Sequence, residues 1–452
     1  MTLLQKPPDP LLVVPSMRRR WLFRWLALPL SLRWAITLWL ALLIGVSLRV
    51  LLSPPTSQSV LPIYRLAAER WQAGAALYVY DPRLPLDVYR NPPGFAAAFQ
   101  GFAWLPETLA ALLWRWLSAA IFLVTLFRFC RAVQPDWSLT RLGYVAALAV
   151  VIALPTVNNG QVNLLIAASA LGGTAAVLRQ QWWQAAAWLA LGPWMKVYPM
   201  AVGLLLGLIE PRRLLPRFVL ITFAGFLLPF LLHDPGYVLV QYHEFVTSQW
   251  NDDRTFAPLS RVPRDWTVVP RVWFGWVSPP IVTKLVMLAM AVIAAGWTLM
   301  SRQLPAAVLR AFLIGITWMT VFGPATEANT YAQLAGAAAW LVVAAAGQSR
   351  WILFPAGLGY SLLALTVLRA VFPADWKLTA LGPQPIGAML LLAAGLMMDP
   401  VHRGPSVVDG KQRGVFLMAR RIRYSFRLRT PDSLPRIIAS RTGLSKTTAQ
   451  QD

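Results

Sequence analysis

Charged residues are scarce in this sequence. Of its 452 residues only 13% are Asp, Glu, Lys or Arg, whereas 57% are hydrophobic. Soluble domains carry about a quarter of their residues as charges, because a surface in water has to be covered by polar groups. The shortage therefore excludes a water-soluble enzyme, and the high apolar content excludes a disordered chain.

Metal-ligating and redox-active side chains are scarce as well. The chain has one cysteine, Cys130, and three histidines. A single cysteine excludes an internal disulfide framework, and three histidines leave little material for a His-based zinc centre. Gly-rich phosphate loops and HExxH, CxxC and GxSxG sequences are absent too. We therefore expect no metal or cofactor, and neither a nucleotide-driven pump nor a zinc protease.

Long apolar runs dominate the rest of the chain. A helix needs about 20 mostly apolar residues to cross a bilayer, and about twelve runs qualify, although several are short. They predict an all-α, polytopic membrane protein. The 22 tryptophans are typical of a chain that crosses the membrane interface many times. The predicted spans are 35–52, 107–127, 141–156, 163–178, 183–198, 199–210, 216–232, 279–300, 308–323, 331–347, 351–371 and 385–398.

Basic residues are distributed unevenly along the chain. Most of the 41 Lys and Arg side chains fall before the first span, in alternate short loops and after residue 400. Because basic loops stay in the cytoplasm, we predict a protein of the bacterial cytoplasmic (inner) membrane with both termini cytoplasmic. The net charge of +23 then reflects topology and contact with membrane lipid, and no nucleic acid is needed as a partner.

Three regions follow from this topology. We predict a basic cytoplasmic arm over 1–34, a transmembrane domain over 35–400 and a basic cytoplasmic tail over 401–452. Two long loops, 53–106 and 233–278, fall on the outer side, and long loops in a compact protein are usually functional. Apolar positions around Tyr64 to Trp71 and from Phe95 to Leu105 predict interfacial helices in the first outer loop.

Polar and charged residues gather at the outer ends of the spans. This pattern suits a lipid-linked phosphate substrate, whose tail stays in the membrane while cations hold the phosphate and a carboxylate acts as general base. Lys196 is a candidate phosphate anchor, with Tyr198 beside it and Pro199 breaking the helix. The alternative is an interfacial lysine that extends towards water.

Two further connections allow two interpretations each. Asn159 and Gln161 lie in a short link between spans, where they either form a turn or donate hydrogen bonds to sugar hydroxyls. Glu327 is the only acid in the connection between the spans 308–323 and 331–347. An acidic side chain at membrane depth is costly, so it indicates a functional site. The simpler alternative is a glutamate that caps a helix.

Four motifs stand in a fixed order along the chain. They are Tyr64, Ala67, Ala68, Gly74, Leu77 and Tyr78; Tyr89-Arg90-Asn91-Pro92-Pro93; Asn159-Gly160-Gln161-Val162-Asn163-Leu164-Leu165; and Lys196-Val197-Tyr198-Pro199. Together, over residues 35–400, they resemble glycosyltransferase family 87 of the GT-C superfamily. The resemblance implies a GT-C-like bundle, a polyprenyl-phosphate sugar donor (often of mannose), a lipid or glycan acceptor, and an inverting, metal-independent hexosyl transfer.

The sequence departs from the family pattern at one position. The resemblance implies a catalytic Asp a few residues before Tyr64, but residues 59–63 contain no carboxylate. Glu327 is our first candidate to replace it, followed by Glu69 and Asp87. The residues expected to bind substrate are Lys196, Tyr198, Arg65, Tyr89, Arg90, Asn159, Gln161 and Arg264.

Two other functions compete with the transferase. A non-catalytic relative would keep the fold for binding, and the missing Asp is the main support for it. A secondary transporter or flippase of a lipid-linked solute would place polar groups near the bilayer midplane, often in an inverted repeat. Since the ionisable residues here gather at one face of the membrane, catalysis at an interface is favoured over alternating access.

Overall fold

The described part of the protein is helical. Within it there is no β-strand, which confirms the all-α prediction. Residues 1–24 of the predicted arm lie outside the described residues, and so do the whole predicted tail and Asp87. The computed structural model describes residues 25–54, 57, 59–81, 88–252, 255–256, 263–304, 306–324, 326–371 and 382–398, with the backbone alone over 366–371.

Most of the described helices follow one another through short connections. A 3-10 helix covers Ala328–Leu334. The α-helices are α1 Leu30–Leu52, α2 Leu61–Gln72, α3 Pro93–Ala103, α4 Glu107–Val133, α5 Leu139–Asn159, α6 Asn163–Leu178, α7 Trp182–Met195, α8 Met200–Ile209, α9 Leu215–Leu227, α10 Pro229–Leu232, α11 Pro235–Trp250, α12 Val268–Phe274, α13 Pro280–Ser301, α14 Ala307–Val321, α15 Ala335–Ala345, α16 Arg350–Val371 and α17 Pro383–Met397.

Each predicted span falls on a described helix or on adjoining helices. Among the described residues, five candidate spans have the length and apolar composition to cross a membrane, namely α1, α4, α5, α13 and the stretch Leu215–Leu232. The other apolar helices have 10–17 residues with described side chains, and α16 is among them over Arg350–Leu365. The number of twelve spans therefore stays a prediction. In α1 and α13 only 22% and 11% of the most apolar stretch is buried in the protein. Their remaining apolar surface is suited to contact with lipid.

Helix α6 lies at the centre of the described bundle. Almost all of its side chains are buried, and glycines let its neighbours approach closely. A Cβ on Gly172 would lie 2.8 Å from the ring of Trp188, and one on Gly173 would lie 2.5 Å from Leu189, both on α7. Small residues promote close helix packing in membranes. This packing fixes the first residue of α6, Asn163, at one end of the bundle.

The two predicted spans 183–198 and 199–210 are two separate short helices. Helix α7 ends at Met195, Lys196 has an extended backbone, and α8 begins after Pro199. Proline cannot donate the backbone hydrogen bond that a continuing helix needs, so the chain breaks here. The break exposes polar groups at a helix end that would otherwise be enclosed.

Both long loops contain helices. Helices α2 and α3 lie in the first loop and pack against each other, so the two helices predicted there are present. The second loop, predicted only as a polar connection, contains the 16-residue helix α11, whose first turn is capped by the Asp234 side chain through the backbone N–H of Tyr237. The loops therefore present their polar groups from ordered elements.

Candidate functional site

The candidate site is built where α5 ends and α6 begins. Gly160 follows α5 with φ at 70°, a left-handed conformation that glycine adopts without steric cost. Its N–H donates to the Thr156 carbonyl at 2.9 Å. This tight turn reverses the chain within a few residues, and it places Gln161 and Asn163 at the same end of the bundle.

A chain of side-chain hydrogen bonds runs from Glu327 to Tyr198. Gln161 Nε2 donates to Glu327 Oε2 at 3.1 Å, and Gln161 Oε1 accepts from Asn163 Nδ2. Gln333 Nε2 donates both to Asn163 Oδ1 at 2.9 Å and to the Tyr198 hydroxyl at 2.8 Å. Three connections that are distant in sequence thus meet through polar side chains; we call these five residues the Glu327–Tyr198 chain.

Asn163 is the fixed point of this chain. It is fully buried, and its Nδ2 also donates to the Asn329 carbonyl at 3.0 Å. The hydroxyl of Thr156 donates to the same carbonyl at 2.8 Å. Because buried polar groups are costly unless they are paired, these contacts hold the 3-10 helix against α5 and α6.

Glu327 stands at the start of the 3-10 helix and caps it. Its side chain accepts from the backbone N–H of Thr330, whose hydroxyl accepts from the backbone N–H of Glu327 at 3.1 Å. The capping interpretation is therefore confirmed. The two oxygens of a carboxylate offer about four acceptor positions, and the Glu327 side chain is only partly buried.

Lys196 and Tyr198 stand side by side at the other end of the chain. The Lys196 ammonium lies 5.8 Å from the centroid of the Tyr198 ring, within reach of a cation–π contact. In the part of the chain that the structure describes, this ammonium has no hydrogen bond or ion pair. Its charge is therefore available to an anionic group.

Tyr64 brings the first loop into the same region. It is buried, and the Val162 backbone, the charge of Glu327 and the phenol of Tyr198 act on its ionisation. Burial raises the pKa of the Tyr64 phenol well above its ordinary value. Tyr64 therefore stays protonated and can donate a hydrogen bond.

The segment after the undescribed part of the first loop contacts the end of α7. Asn91 is buried, and its Nδ2 donates to the Met195 carbonyl at 2.7 Å, directly before Lys196. Tyr89 is buried with its hydroxyl on the Pro92 carbonyl at 3.1 Å. Arg90 pairs with Asp252 of the second loop. This segment positions the Lys196 break, and the Arg90 charge is matched by a carboxylate.

Two of the other predicted residues lie apart from the chain. Arg65 and Glu69 form an ion pair at 3.0 Å on α2, where the Glu69 side chain is 52% exposed. Arg65 also donates to the Leu105 carbonyl at 2.8 Å. Neither contacts the Glu327–Tyr198 chain. Asp87, the third predicted carboxylate, is outside the described residues, so its role stays a prediction.

Asn159 and Arg264 lie next to residues of the Glu327–Tyr198 chain, and their backbones make hydrogen bonds there. The Asn159 carbonyl accepts from the Val60 N–H at 3.0 Å, and the Arg264 N–H donates to the Thr326 carbonyl at 2.6 Å. The Arg264 side chain is buried. The Oδ1 atom of Asn159 is buried without a hydrogen-bond partner among the described residues, so it can accept one from a ligand.

Sequence reasoning did not select Asn163, Gln333 or Asp265 for the site. The signal for Gln333 is its position as an isolated amide at the start of an apolar span, where a polar group is costly. Asp265 follows Arg264 and is buried, and its Oδ1 accepts from the N–H of Thr267 at 2.9 Å. Burial raises the pKa of the Asp265 carboxyl.

A serine occupies the region where the family pattern implies the catalytic Asp. Ser59 Oγ accepts a hydrogen bond from Arg115 Nη2 at 3.1 Å. The described residues contain no group of three or more His, Cys, Asp or Glu side chains that could hold a metal ion. Ser59 cannot act as the acid that the family pattern implies. The carboxylate of Glu327 is the acid of the Glu327–Tyr198 chain.

The chain is similar to proteins of known structure. Two crystal structures of ArnT from Cupriavidus metallidurans match the chain. The one bound to undecaprenyl phosphate is 15% identical, with 79% of this chain and 76% of that chain covered and a TM-score of 0.35. The apo structure is 16% identical, with 80% and 77% covered and a TM-score of 0.30. No curated protein matches the chain.

The family assignment comes from a family model. The model of glycosyltransferase family 87 matches residues 89–324, which is just over half of the 452 residues. The matched range includes the Tyr89–Pro93 segment, the turn after α5 and the Lys196 break. The chain belongs to glycosyltransferase family 87, and it is a membrane glycosyltransferase.

Proposed function

We propose that the protein transfers a hexose, with mannose as the first candidate, from a polyprenyl-phosphate donor to a lipid or glycan acceptor. The reaction takes place at the outer face of the bacterial cytoplasmic membrane, within the GT-C-like bundle that the family resemblance implies. The observation that supports it best is the Glu327–Tyr198 chain. It joins a carboxylate through three amides to a phenol, and the ammonium of Lys196 lies beside that phenol.

Glu327 is the general base of the proposed reaction. The acceptor hydroxyl gives its proton to the carboxylate while its oxygen bonds to the anomeric carbon of the donor sugar. The bond between that carbon and the phosphate oxygen breaks with its electrons, and the anomeric configuration is inverted. Gln161 orients the carboxylate through its hydrogen bond at 3.1 Å.

Lys196 stabilises the leaving phosphate. Negative charge grows on the phosphate as the glycosidic bond breaks, and a cation fixed nearby lowers the energy of that transition state. The Lys196 ammonium lies on the same side of the bundle as Glu327, and Tyr198 links it to the chain. Asn159, with its buried unpartnered oxygen, is placed to contact sugar hydroxyls.

The test is a turnover assay in membranes with radiolabelled polyprenyl-phosphate mannose and glucose. Glu327→Gln keeps the shape of the side chain but removes the base, so we expect a loss of about 10²–10⁴-fold. Lys196→Ala should reduce transfer as well. The matched controls are Glu69→Gln, an exposed acid outside the chain, and Lys284→Gln, which removes a lysine that stacks on Trp250.

The outcomes of this assay separate the role of Glu327 from the proposed reaction itself. Wild-type turnover by Glu327→Gln would remove Glu327 from the base role. No transfer from either donor, in wild-type protein shown to be folded, would contradict the proposed reaction and favour the non-catalytic relative. Release of labelled donor across the membrane without transfer would favour the flippase.

A further inference from the structure

Two arginines face a cleft that the proposed reaction does not use. Arg49 lies in the last turn of α1 and Arg115 in the third turn of α4. The cleft between them opens to solvent, and its interior is small, with about 20 Å³ of space for the centre of a water-sized sphere. Its polar wall is completed by Ser57, Ser59, Glu107 and Thr108.

Arg115 is a buried cation whose hydrogen bonds all go to neutral acceptors. Its side chain is buried. Nε donates to the Val157 carbonyl at 3.0 Å, Nη1 to the Ala111 carbonyl at 3.0 Å, and Nη2 to Ser59 Oγ and the Asn158 carbonyl, each at 3.1 Å. These bonds fix the guanidinium in place but do not balance its charge.

Only some of the N–H donors of Arg49 are hydrogen-bonded, and its side chain lines the same cleft. Its Nη1 donates to the Ser57 carbonyl at 3.0 Å and its Nη2 to the Asn158 carbonyl at 2.8 Å. Its Nε is buried without a partner among the described residues. A guanidinium has five N–H donors, so several of those on Arg49 are available to a ligand.

The surrounding structure leaves a positive excess in the cleft. The carbonyls of Val157 and Asn158 belong to the C-terminal turn of α5, which carries about half a negative charge. Glu107 is the only acid in the wall, and it forms no ion pair within the described part of the chain. Arg115 is buried and Arg49 is partly buried. Two neighbouring guanidinium groups without a bound carboxylate are costly in such a place, and a bound anion would compensate them.

In the predicted topology the cleft lies at the outer membrane surface, and exposed apolar side chains occur on the helices that form it. The ends of α1 and α5 and the start of α4 meet there. Leu48 and Leu52 on α1 and Leu109 on α4 are 53%, 84% and 42% exposed. Such side chains next to a cationic pocket match a headgroup with attached acyl chains. We infer that the Arg49–Arg115 cleft binds the phosphate group of an anionic membrane lipid, independently of the transferase reaction.

Native mass spectrometry of the purified full-length protein tests this inference. The probes are phosphatidylglycerol and phosphatidylcholine at equal concentration, and inorganic phosphate in a separate arm. We expect the wild type to retain phosphatidylglycerol selectively, and Arg49→Gln to lower its retention by about tenfold, the loss for a charge-assisted pair of hydrogen bonds. Lys284→Gln, which removes one positive charge elsewhere, should retain the lipid like the wild type.

Glu107→Gln provides a test that does not depend on tolerance of the arginine substitutions. Removal of the one acid in the wall should increase phosphatidylglycerol retention, because like charges no longer repel. Equal retention of the two lipids by wild type, or equal phosphatidylglycerol retention by wild type and both variants, would overturn the inference. Displacement of phosphatidylglycerol by inorganic phosphate would show that the phosphate group is recognised. A protein that binds inorganic phosphate but retains neither lipid would overturn the lipid as the source of that group.

Discussion

The carboxylate of Glu327 combines a structural contact with the proposed role of general base. It caps the 3-10 helix through Thr330 and accepts from Gln161, so its orientation is set before any substrate binds. Preorganised groups need little rearrangement during the reaction. A cap is therefore compatible with the proposed base, since the cap fixes the direction of the carboxylate.

Single residues of the site could be predicted where a polar side chain interrupts an apolar pattern. Glu327, Gln161, Lys196 and Tyr198 were all selected from the sequence in this way, and the structure joins them. Gln333 could not be selected with the same certainty, because an amide next to a helix start is also an ordinary cap. Its role depends on the contact with Asn163, 170 positions away, which the sequence does not encode locally.

Asp265 should make the stability of the protein depend on pH. Burial raises the pKa of its carboxyl in the folded state, so the folded chain holds this proton more tightly than the unfolded chain. Its contribution to stability is complete below the ordinary Asp pKa of about 4 and is lost as pH rises through the raised value. Asp265→Asn should therefore melt higher than the wild type at pH 7 in detergent.

The same substitution has an internal control. Asparagine keeps an oxygen that can accept from Thr267 and does not titrate, so the difference in melting temperature should shrink as the pH approaches about 4. A difference that stays constant between the two pH values would show that burial of the charge is not the cause.

Among the elements, the break between α7 and α8 was visible in the sequence and α11 was not. Pro199 cannot continue a helix, so a boundary near Lys196 follows from covalent structure. Helix α11 mixes polar and apolar residues without a clear membrane period, and its only local signal is Asp234 followed by Pro235 at its start. Its packing against the rest of the protein, including Gln241 on the Leu77 N–H at 2.9 Å, stabilises it.

The contact between α7 and α9 depends on a glycine. A Cβ on Gly225 would overlap the indole ring of Trp194, whose Nε1 donates to the Thr222 carbonyl at 3.0 Å. Gly225→Ala should therefore destabilise the protein by about 1–3 kcal/mol, the usual range for overpacking. The measurement is the melting temperature in detergent.

Gly296 is the matched control for this prediction. It also lies within a helix, α13, but a Cβ there would meet nothing within 4 Å. Alanine favours helix over glycine, so Gly296→Ala should be neutral or slightly stabilising. Equal losses of stability from both substitutions would mean that the Trp194 contact does not decide the result.

For the whole molecule, the sequence predicted the class of fold better than the arrangement of the site. Apolar runs identify helices because each must be long enough for the membrane, and Lys and Arg set their direction. The convergence of residues near 64, 161, 198 and 327 arises from helix packing, to which glycines such as Gly172 contribute. That packing depends on complementary shapes between distant segments, which composition and periodicity do not specify.

The predicted orientation can be tested with the single cysteine of this chain. Cys130 is 1% exposed, so the wild type should react weakly with a membrane-impermeant maleimide. Gln72→Cys, on an exposed position of the first outer loop, should be labelled in intact cells. Ser349→Cys, exposed between α15 and α16, should be labelled only after the cells are opened, because the predicted topology places it in the cytoplasm. Labelling of both in intact cells would contradict this topology, and the reverse pattern would invert it and move Glu327 and Lys196 to the cytoplasmic face.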